Sequence, residues 1–598
     1  MPAPLVNKAI WTIVAICIAL GVIAACLPFI ASTQIVRARI AEELSERTGY
    51  RVTLGEAPEL LIWPSFKAVL DNVSFRKWGG SEGSPVLQAE RLEARLSAWS
   101  ALLGRVEFSA VELQRPVLYV SRQEGGAYLP DAPVGGRFAQ LLEDAKRGEA
   151  PSQAALGSIR FGDGKVIDAT TGAGIATDLA GMVEWESTNS QGLLNAAGIW
   201  RGEAVKAAIL VESPLKLASG EASTVNVSLD SAPLTASFVG TVDRSETTSF
   251  EGNVSVSSPS VRRALEWSQA AIKPGAAMGK MTLSGRASGD LHRLKLADTR
   301  LSLSDNPGTG ALEFSLAGAV PAISGTLAFE TLDIGNFLAA FAGTDDESVR
   351  MFDLSFTDQF SLDVRLSATR ALGGDIELTD VAATAQVRSG FAAFDISDAT
   401  AFGGEIQAGF RVDRKETGEF GEMRVSAEGI DWALIADMAN WKRNVPAAKG
   451  SLSVVLKSPV DSWALLSRNL NGTVSVKLGP GSISGLDLAK LVSHAPGSGF
   501  FPLESIGGAA LTVEGAEFKA TLGGSVAKIT TAKAWTGQEM LTLDGIIPYV
   551  GRSLAMSGTI AAKDGATSAL VPERERRFFI GGSWASPYIS PIGPDFEP

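Results

Sequence analysis

The chain has 598 residues, of which 45% are hydrophobic but only 7% aromatic. Its formal net charge of −13 argues against a general nucleic-acid binder, because such a protein needs a basic surface to neutralise phosphates. Both cysteines, Cys17 and Cys26, lie in an apolar N-terminal run, which excludes a disulfide or a thiol-based site in the rest of the chain.

The first predicted element is a membrane anchor in the uncharged run from Ala9 to Ser32. A spanning helix needs roughly 20 apolar residues, so the run is long enough. The segment Ile23–Cys26 also matches the small-residue box before a lipidated cysteine, but apolar residues continue beyond Cys26, and we therefore favour an uncleaved helix. Charges flanking the run do not settle its orientation. The anchor residues are Ile10, Trp11, Ile13, Val14, Ile16, Ile18, Leu20, Val22, Ile23, Leu27, Phe29 and Ile30.

An amphipathic helix is predicted directly after the anchor, over Gln34–Thr48. Ile35, Val36, Ile40 and Leu44 share one face of it. From Tyr50 onward the hydrophobic period changes to two, which indicates successive β-strands. A polar segment between residues 130 and 153 interrupts them and contains one further helical pattern.

Long alternating runs follow, and each predicts a strand with one apolar and one polar face, typical of antiparallel sheet. If two such sheets pack together, the apolar faces form an ordinary core. If one long sheet curls, they line an apolar trough suited to acyl chains. Periodicity does not separate these alternatives. The candidate groove residues are Val225, Val227, Leu229, Leu312, Phe314, Leu316, Leu362, Val364 and Leu366.

Three aspartates recur at the ends of these strands, each before a short helical pattern. They are Asp333, Asp431 and Asp487, and we interpret them as helix N-caps, because a carboxylate there can accept from the free backbone N–H groups of the first turn. No motif for nucleophilic catalysis, nucleotide binding or metal ligation accompanies them. Gly479-Pro480-Gly481 is only a partial match to a dinucleotide fingerprint and is interpreted as a turn. We expect no catalytic residue, no metal site, no cofactor and no enzymatic activity.

Seven stretches follow a pattern that is known from one protein family: Ala94–Leu96, Leu102–Val106, Val111–Val120, Ser158–Asp168, Leu470–Val474, Gly481–Leu488 and Arg577–Pro587. Together they resemble the AsmA family of bacterial envelope proteins. The first four stretches are similar to the family's first strand, its Leu-Leu-x-Gly turn, its Pro-containing strand and the hairpin that follows. The last three resemble its C-terminal segment and closing strand. Gly126–Leu129 departs from the family, which often has an Asn-Trp pair there.

The resemblance implies a mainly β protein: an N-terminal transmembrane helix, then an elongated, curled antiparallel sheet with a chorein-like start and short interspersed helices. The implied regions are a cytoplasmic N-terminus (1–8), the anchor (9–32), a chorein-like region (33–130), a linker with a short helix (131–155), a groove-forming body (156–460) and a C-terminal AsmA-like region (461–598).

The resemblance also implies a function. The chain is expected in the bacterial inner membrane as a single-pass protein with its bulk in the periplasm. It is expected to carry or shelter phospholipid between inner and outer membranes, in the manner of bridge-like lipid transfer proteins, and so to support outer-membrane assembly. Phospholipids and the inner membrane are the expected partners, with outer-membrane or other envelope proteins as further candidates. The alternative is a non-catalytic scaffold for outer-membrane proteins with a closed β core.

Overall fold

The fold is mainly β and divides into two compact units, the first made of Met1–Pro259 with Thr282–Leu296, and the second of Ser260–Met281 with Ala297–Pro598. The computed structural model describes residues 34–61, 66–78, 85–96, 108–122, 128–147, 157–245, 247–269, 279–339, 354–415, 418–441, 444–460, 468–494, 499–564, 568, 570–571 and 575–592. The predicted anchor, residues 9–32, lies outside these ranges. Within them, no helix is both long and apolar enough to cross a membrane.

The first strands in chain order are β1 (Arg51–Leu54), β2 (Glu59–Leu61), β3 (Lys67–Arg76), β4 (Leu87–Leu96), β5 (Phe108–Gln114), β6 (Val117–Arg122), β7 (Tyr128–Leu129), β8 (Gly157–Asp168), β9 (Gly174–Trp185), β10 (Gly192–Trp200), β11 (Glu203–Val211), β12 (Ser223–Ser231), β13 (Thr235–Asp243), β14 (Ser249–Ser258), β15 (Met281–Asp290) and β16 (Arg293–Leu303). The remaining strands are β17 (Asn306–Ser315), β18 (Ala322–Asp333), β19 (Ser361–Gly373), β20 (Ile376–Arg388), β21 (Phe391–Ala401), β22 (Gly404–Lys415), β23 (Gly418–Asp431), β24 (Pro446–Pro459), β25 (Asn471–Ser484), β26 (Phe501–Pro502), β27 (Ala510–Val513), β28 (Gly515–Gly523), β29 (Val526–Trp535), β30 (Glu539–Pro548), β31 (Ser553–Ala562), β32 (Arg576–Ser583) and β33 (Ser586–Ile592).

Short helices are interspersed among the strands. They are α1 (Gln34–Thr48), α2 (Gly136–Lys146), α3 (Pro214–Ser219), α4 (Val261–Ser268), α5 (Ile334–Ala339), α6 (Trp432–Met438) and α7 (Leu488–His494), with 3₁₀ turns at Leu354–Asp358 and Leu503–Ile506.

Most neighbouring strands in the described part of the chain pair antiparallel, as predicted, but three of the pairs described there do not. In the first unit β8 runs parallel to both β5 and β6. In the second unit β19 runs parallel to β18. A parallel pair needs a long crossover, and each of these pairs has one, which passes through α2 in the first unit and through α5 in the second.

Two local predictions were wrong. The stretch Ser158–Asp168, which resembles a hairpin, is one continuous strand, β8. The predicted turn Gly479–Gly481 lies inside β25. There β25 changes partners, pairing with β28 up to Leu478 and with β27 from Gly481, so Pro480 occupies a break in the ladder where its missing N–H costs little.

The three predicted cap aspartates bond to the first turns of α5, α6 and α7. Asp333 Oδ1 accepts from the backbone N–H of Asn336 at 2.8 Å, and Asp487 Oδ1 from that of Lys490 at 3.1 Å. Asp431 Oδ1 accepts from Ala433 N at 2.9 Å. Each carboxylate thus satisfies a donor that has no partner within its own helix.

A packed cluster of buried side chains is found in each unit. In the first unit α1 lies on β1, β3 and β4, and buries Ile40 and Leu44 against Leu70 and Leu92. In the second unit α7 and the Leu503–Ile506 turn bury Ile506 against Ile560 and other side chains of the C-terminal strands. At each of these clusters a helix or turn covers part of the sheet.

Candidate functional site: an apolar sheet face

An unbroken apolar row crosses neighbouring strands of the first unit. Residues directly opposite each other in paired strands project from the same face of the sheet. The ladder registers therefore place on one face Ile159, Val183, Leu194, Ile209, Val227, Phe238 and Val254, one from each strand from β8 to β14. We call this face the inner face of the first unit.

A second row runs beside the first, two residues along each strand. Its members are Phe161, Gly181, Ala196, Ala207, Leu229, Ala236 and Val256. The intervening positions, which project from the opposite face, are more polar, for example Asn226, Ser228 and Asp230 on β12. Period-two alternation in each strand, combined with matched registers, gives the sheet one apolar face.

The degree of burial changes along these rows. Both continue into β5, β4 and β3, where Ala68 and Leu70 are fully buried beneath α1. From β8 to β14 the row members are only half-buried, as with Val227 and Phe238. Part of the inner face is therefore packed core, and the larger part keeps access to solvent.

Two aromatic rings shape this face between β13 and β14. Phe238 and Phe250 meet edge to face, with their ring centroids 5.9 Å apart. Gly240 lies beside Phe238, and a Cβ added at Gly240 would come within 2.2 Å of the Glu251 carbonyl oxygen. Only glycine fits there, so the paired rings border a position without a side chain.

The second unit carries equivalent rows. One row crosses β18 to β25 in chain order and then β28 and β29. Its members are Leu327, Leu366, Ala383, Ile396, Ala408, Val425, Val454, Val474, Ala520 and Ile529. A neighbouring row joins Leu312, Gly325, Val364, Ala385, Phe394, Phe410, Met423 and Leu456. We call this face the inner face of the second unit.

Burial along the first of these rows is greatest at its two ends. Leu366 is 4% exposed and Ile529 is 5% exposed. Between them Ile396, Val425 and Val454 are half-buried. The inner face of this unit is thus filled by packed side chains at each end and less covered in the middle.

The predicted groove residues are distributed over these rows. In the first unit Val225 is buried, whereas Val227 and Leu229 are half-buried members of the two rows. In the second unit Leu312 and Val364 share a row and Leu366 lies in the next one. Phe314 and Leu362 belong to a third row, in register through Ile323. Leu316 belongs to none of these rows, because β17 ends at Ser315. The Leu316 side chain is 63% exposed.

Sequence reasoning missed most members of the rows, such as Phe238 and Val254. Their strands carry the same alternation, but cross-strand register is not visible in one strand's sequence.

The opposite, outer face of the second unit carries a charge cluster on β22–β24. The Glu422 carboxylate accepts from Arg424 Nε at 2.5 Å and from Arg411 Nη2 at 2.6 Å, and Lys457 Nζ lies 3.3 Å from it. Burial would raise the pKa of Glu422, but these hydrogen bonds outweigh it and lower the pKa to about 2.

Fold and site together define a β-rich protein with a half-buried apolar sheet face in each of two units. Within the described part of the chain, no group of three or more His, Cys, Asp or Glu side chains could hold a metal ion. Comparison with protein-family models, with curated proteins and with solved structures found no match to this chain.

Proposed function

We propose that the chain is an inner-membrane-anchored periplasmic protein of the AsmA-like, bridge-like lipid transfer type. It carries or shelters phospholipid between the inner and outer membranes and so supports outer-membrane assembly and homeostasis. The anchor is the helix proposed over residues 9–32, and the sheet that follows is proposed to curl so that its apolar face forms a groove. The bound groups are acyl chains, with no cofactor and no chemical step.

The observation that carries the proposal is the unbroken apolar row on each inner face, half-buried along β8–β14 and again between Ile396 and Val454. Each CH₂ group moved from water to apolar surroundings gains about 0.8 kcal/mol, so two acyl chains cross an aqueous space very slowly unless they are covered. A row of Val, Leu, Ile and Phe side chains provides that cover at every strand. The head group can stay in solvent at the edge of the sheet.

A second candidate function is a scaffold for outer-membrane proteins with a closed β core. It draws support from the two packed clusters, around Leu44 in the first unit and around Ile506 in the second, where helices cover the apolar face. In that case the apolar rows serve stability alone, and partners bind elsewhere on the surface.

Site-specific photo-crosslinking in intact cells separates the two candidates. The photoreactive residue p-benzoylphenylalanine replaces Val227 or Val425 on the inner faces, or their exposed neighbours Ser228 or Ser426 on the outer faces. After irradiation, we expect phospholipid adducts at the two valine positions and little at the two serine positions. Equal lipid labelling at inner and outer positions, or none at all, contradicts the lipid proposal. Protein adducts at the outer positions with no lipid at the inner ones favour the scaffold.

A further inference from the structure

The outer face of the second unit carries exposed apolar side chains on its last strands. On β32 the side chains of Phe578 and Ile580 are buried in the packed cluster of this unit, whereas Phe579, between them, projects from the opposite face and is 37% exposed. Ladder registers place further residues on that face of β30 and β33. The exposed apolar residues of the face are Ile546, Phe579, Tyr588 and Ile592. These strands therefore present apolar side chains on both faces.

Three aromatic rings are grouped on this face. The Phe579 ring lies over Gly581, where an added Cβ would come within 2.7 Å of Phe579 Cε1. The Tyr588 ring lies beside Gly582, where the corresponding distance is 3.0 Å. Phe500, which precedes β26 and is 72% exposed, contacts Tyr588 with the ring centroids 5.6 Å apart. The rings thus pack on glycine backbone and on each other, and their remaining surface is open to solvent.

Basic side chains project from the same face, in two rows of opposed residues that begin on β25 and β28. The first row consists of Lys477, Glu517, Lys533, Thr542, Thr559, Arg577 and Ile592. The second row consists of Thr521, Lys528, Ile546, Ala555, Gly581 and Tyr588. We call these two rows, together with Lys519, Phe579 and Phe500, the basic aromatic surface.

Cations outnumber carboxylates on the basic aromatic surface. Along its described strands this face carries four lysines and Arg577, against the two carboxylates Glu517 and Asp544. Glu575, just before β32, binds Arg577. Lys519 Nζ lies 2.8 Å from Glu517 Oε1, and this hydrogen bond lowers the pKa of Glu517, with a further contribution from the charges of two neighbouring lysines. The surface is therefore net positive, although the chain as a whole carries a charge of −13.

A leaflet that contains anionic phospholipid matches both features of this surface. Aromatic side chains are enriched where a bilayer meets water, and lysines are attracted to anionic head groups while their stems rest on apolar surface. A protein partner matches less well, because lysine is depleted in the cores of protein interfaces. A second copy of the chain would bring like charges together. We propose that the basic aromatic surface docks onto a membrane leaflet containing anionic phospholipid, a contact separate from the proposed lipid groove.

The test is co-flotation of the full-length protein, held in nanodiscs of zwitterionic phosphatidylcholine, with vesicles that contain phosphatidylglycerol or phosphatidylcholine alone. We expect the nanodiscs to float with the phosphatidylglycerol vesicles and not with the others. Lys528→Glu combined with Lys533→Glu should weaken this binding about tenfold or more, and Tyr588→Ser should weaken it as well. The matched control, Lys206→Glu combined with Lys295→Glu, makes the same charge change at exposed strand positions of the first unit and should leave binding unchanged.

Tyr588→Trp keeps an aromatic side chain at the membrane surface and should retain binding, which distinguishes a lost contact with the leaflet from misfolding. Three outcomes overturn the proposal. One is equal co-flotation with both kinds of vesicle, or with neither. Another is that the Lys528 and Lys533 double variant floats as the parent protein does. The last is self-association of the nanodisc-held protein, measured by mass photometry, that is lost in Tyr588→Ser, which would make the surface an interface between copies of the chain.

The proposed function is tested at different positions. Vesicle binding is measured at the basic aromatic surface, whereas crosslinking at Val227 and Val425 reports lipid on the inner faces. The docking proposal and the lipid-groove proposal therefore fail independently.

Discussion

Glu422 is a carboxylate on the outer face of the second unit that three cations contact. Its side chain is 9% exposed, whereas those of Arg411, Arg424 and Lys457 are 43%, 62% and 58% exposed. The cations can be hydrated without the carboxylate, but the carboxylate depends on them. Removing its charge should therefore cost less than breaking a fully buried ion pair, and roughly 1–3 kcal/mol is a reasonable range.

We predict that Glu422→Gln lowers the thermal unfolding midpoint at pH 7 and that the difference from the parent protein narrows in acid. The folded pKa, about 2, lies below the unfolded value of about 4.3, so the carboxylate contributes its full stability above the unfolded value. That contribution declines as the pH falls from about 5 towards 2. Calorimetric scans between pH 7 and pH 2 measure the difference in unfolding midpoint between Glu422→Gln and the parent protein. Glu405→Gln, at an exposed position of β22, is the control, and a Glu422→Gln difference that does not vary with pH would contradict the prediction.

The prediction for helix α1 concerns the element that covers the start of the inner face. Leu44 is 4% exposed and packs in the cluster beneath the helix. We predict that Leu44→Ala destabilises this cluster by about 2–4 kcal/mol, because it leaves a cavity among buried side chains. Hydrogen exchange of the amides in α1, β3 and β4 is the measurement, and it should accelerate there while exchange in the second unit stays the same.

The control for that prediction is Arg39→Ala on the exposed side of the same helix, where the side chain is 76% exposed. It should change amide exchange little, because the exposed ion pair of Arg39 with Glu42 contributes well under about 1 kcal/mol. Equal acceleration in both variants would mean that the helix depends on its own propensity and not on packing.

At the level of elements, the sequence was most informative where one period continued for many residues. The helix predicted over Gln34–Thr48 has those bounds in the structure, and the alternation around Val225, Leu312 and Leu362 lies in β12, β17 and β19. Such patterns are readable because the spacing of apolar residues within one element shows which of its faces is buried.

The direction of strand pairing and the residues at which strands end were not predictable from such patterns. The parallel pair β18–β19 depends on a crossover whose course is decided by tertiary packing. Leu316 continues the alternation of β17 in sequence, yet the strand has already ended at Ser315.

At the scale of the whole molecule, each unit separately carries a long apolar face. At about 4.8 Å between neighbouring strands, the rows of the first unit, from β3 to β14, run for roughly 40 Å along the sheet. Those of the second unit are of similar extent. One leaflet of a bilayer core is about 15 Å thick, half of roughly 30 Å. Each face therefore has room for more than one acyl chain along its length, which is why the crosslinking test samples both units.

The proposed delivery of lipid to such a face rests on the proposed membrane anchor, and that anchor can be tested. We predict that Cys26→Ser leaves membrane attachment and mature size unchanged, because a spanning helix over residues 9–32 needs no acylated cysteine. Leu20→Arg should weaken attachment, since an arginine at the centre of a spanning helix costs at least about 2.5 kcal/mol. The measurement uses carbonate-washed membranes from cells labelled with palmitate. The amount of full-length chain that stays in the membrane reports attachment, and its size and palmitate label report processing and acylation. Loss of label together with an unprocessed, larger product in Cys26→Ser would instead identify Cys26 as a lipidation site, and the chain would then hang from the bilayer by acyl groups.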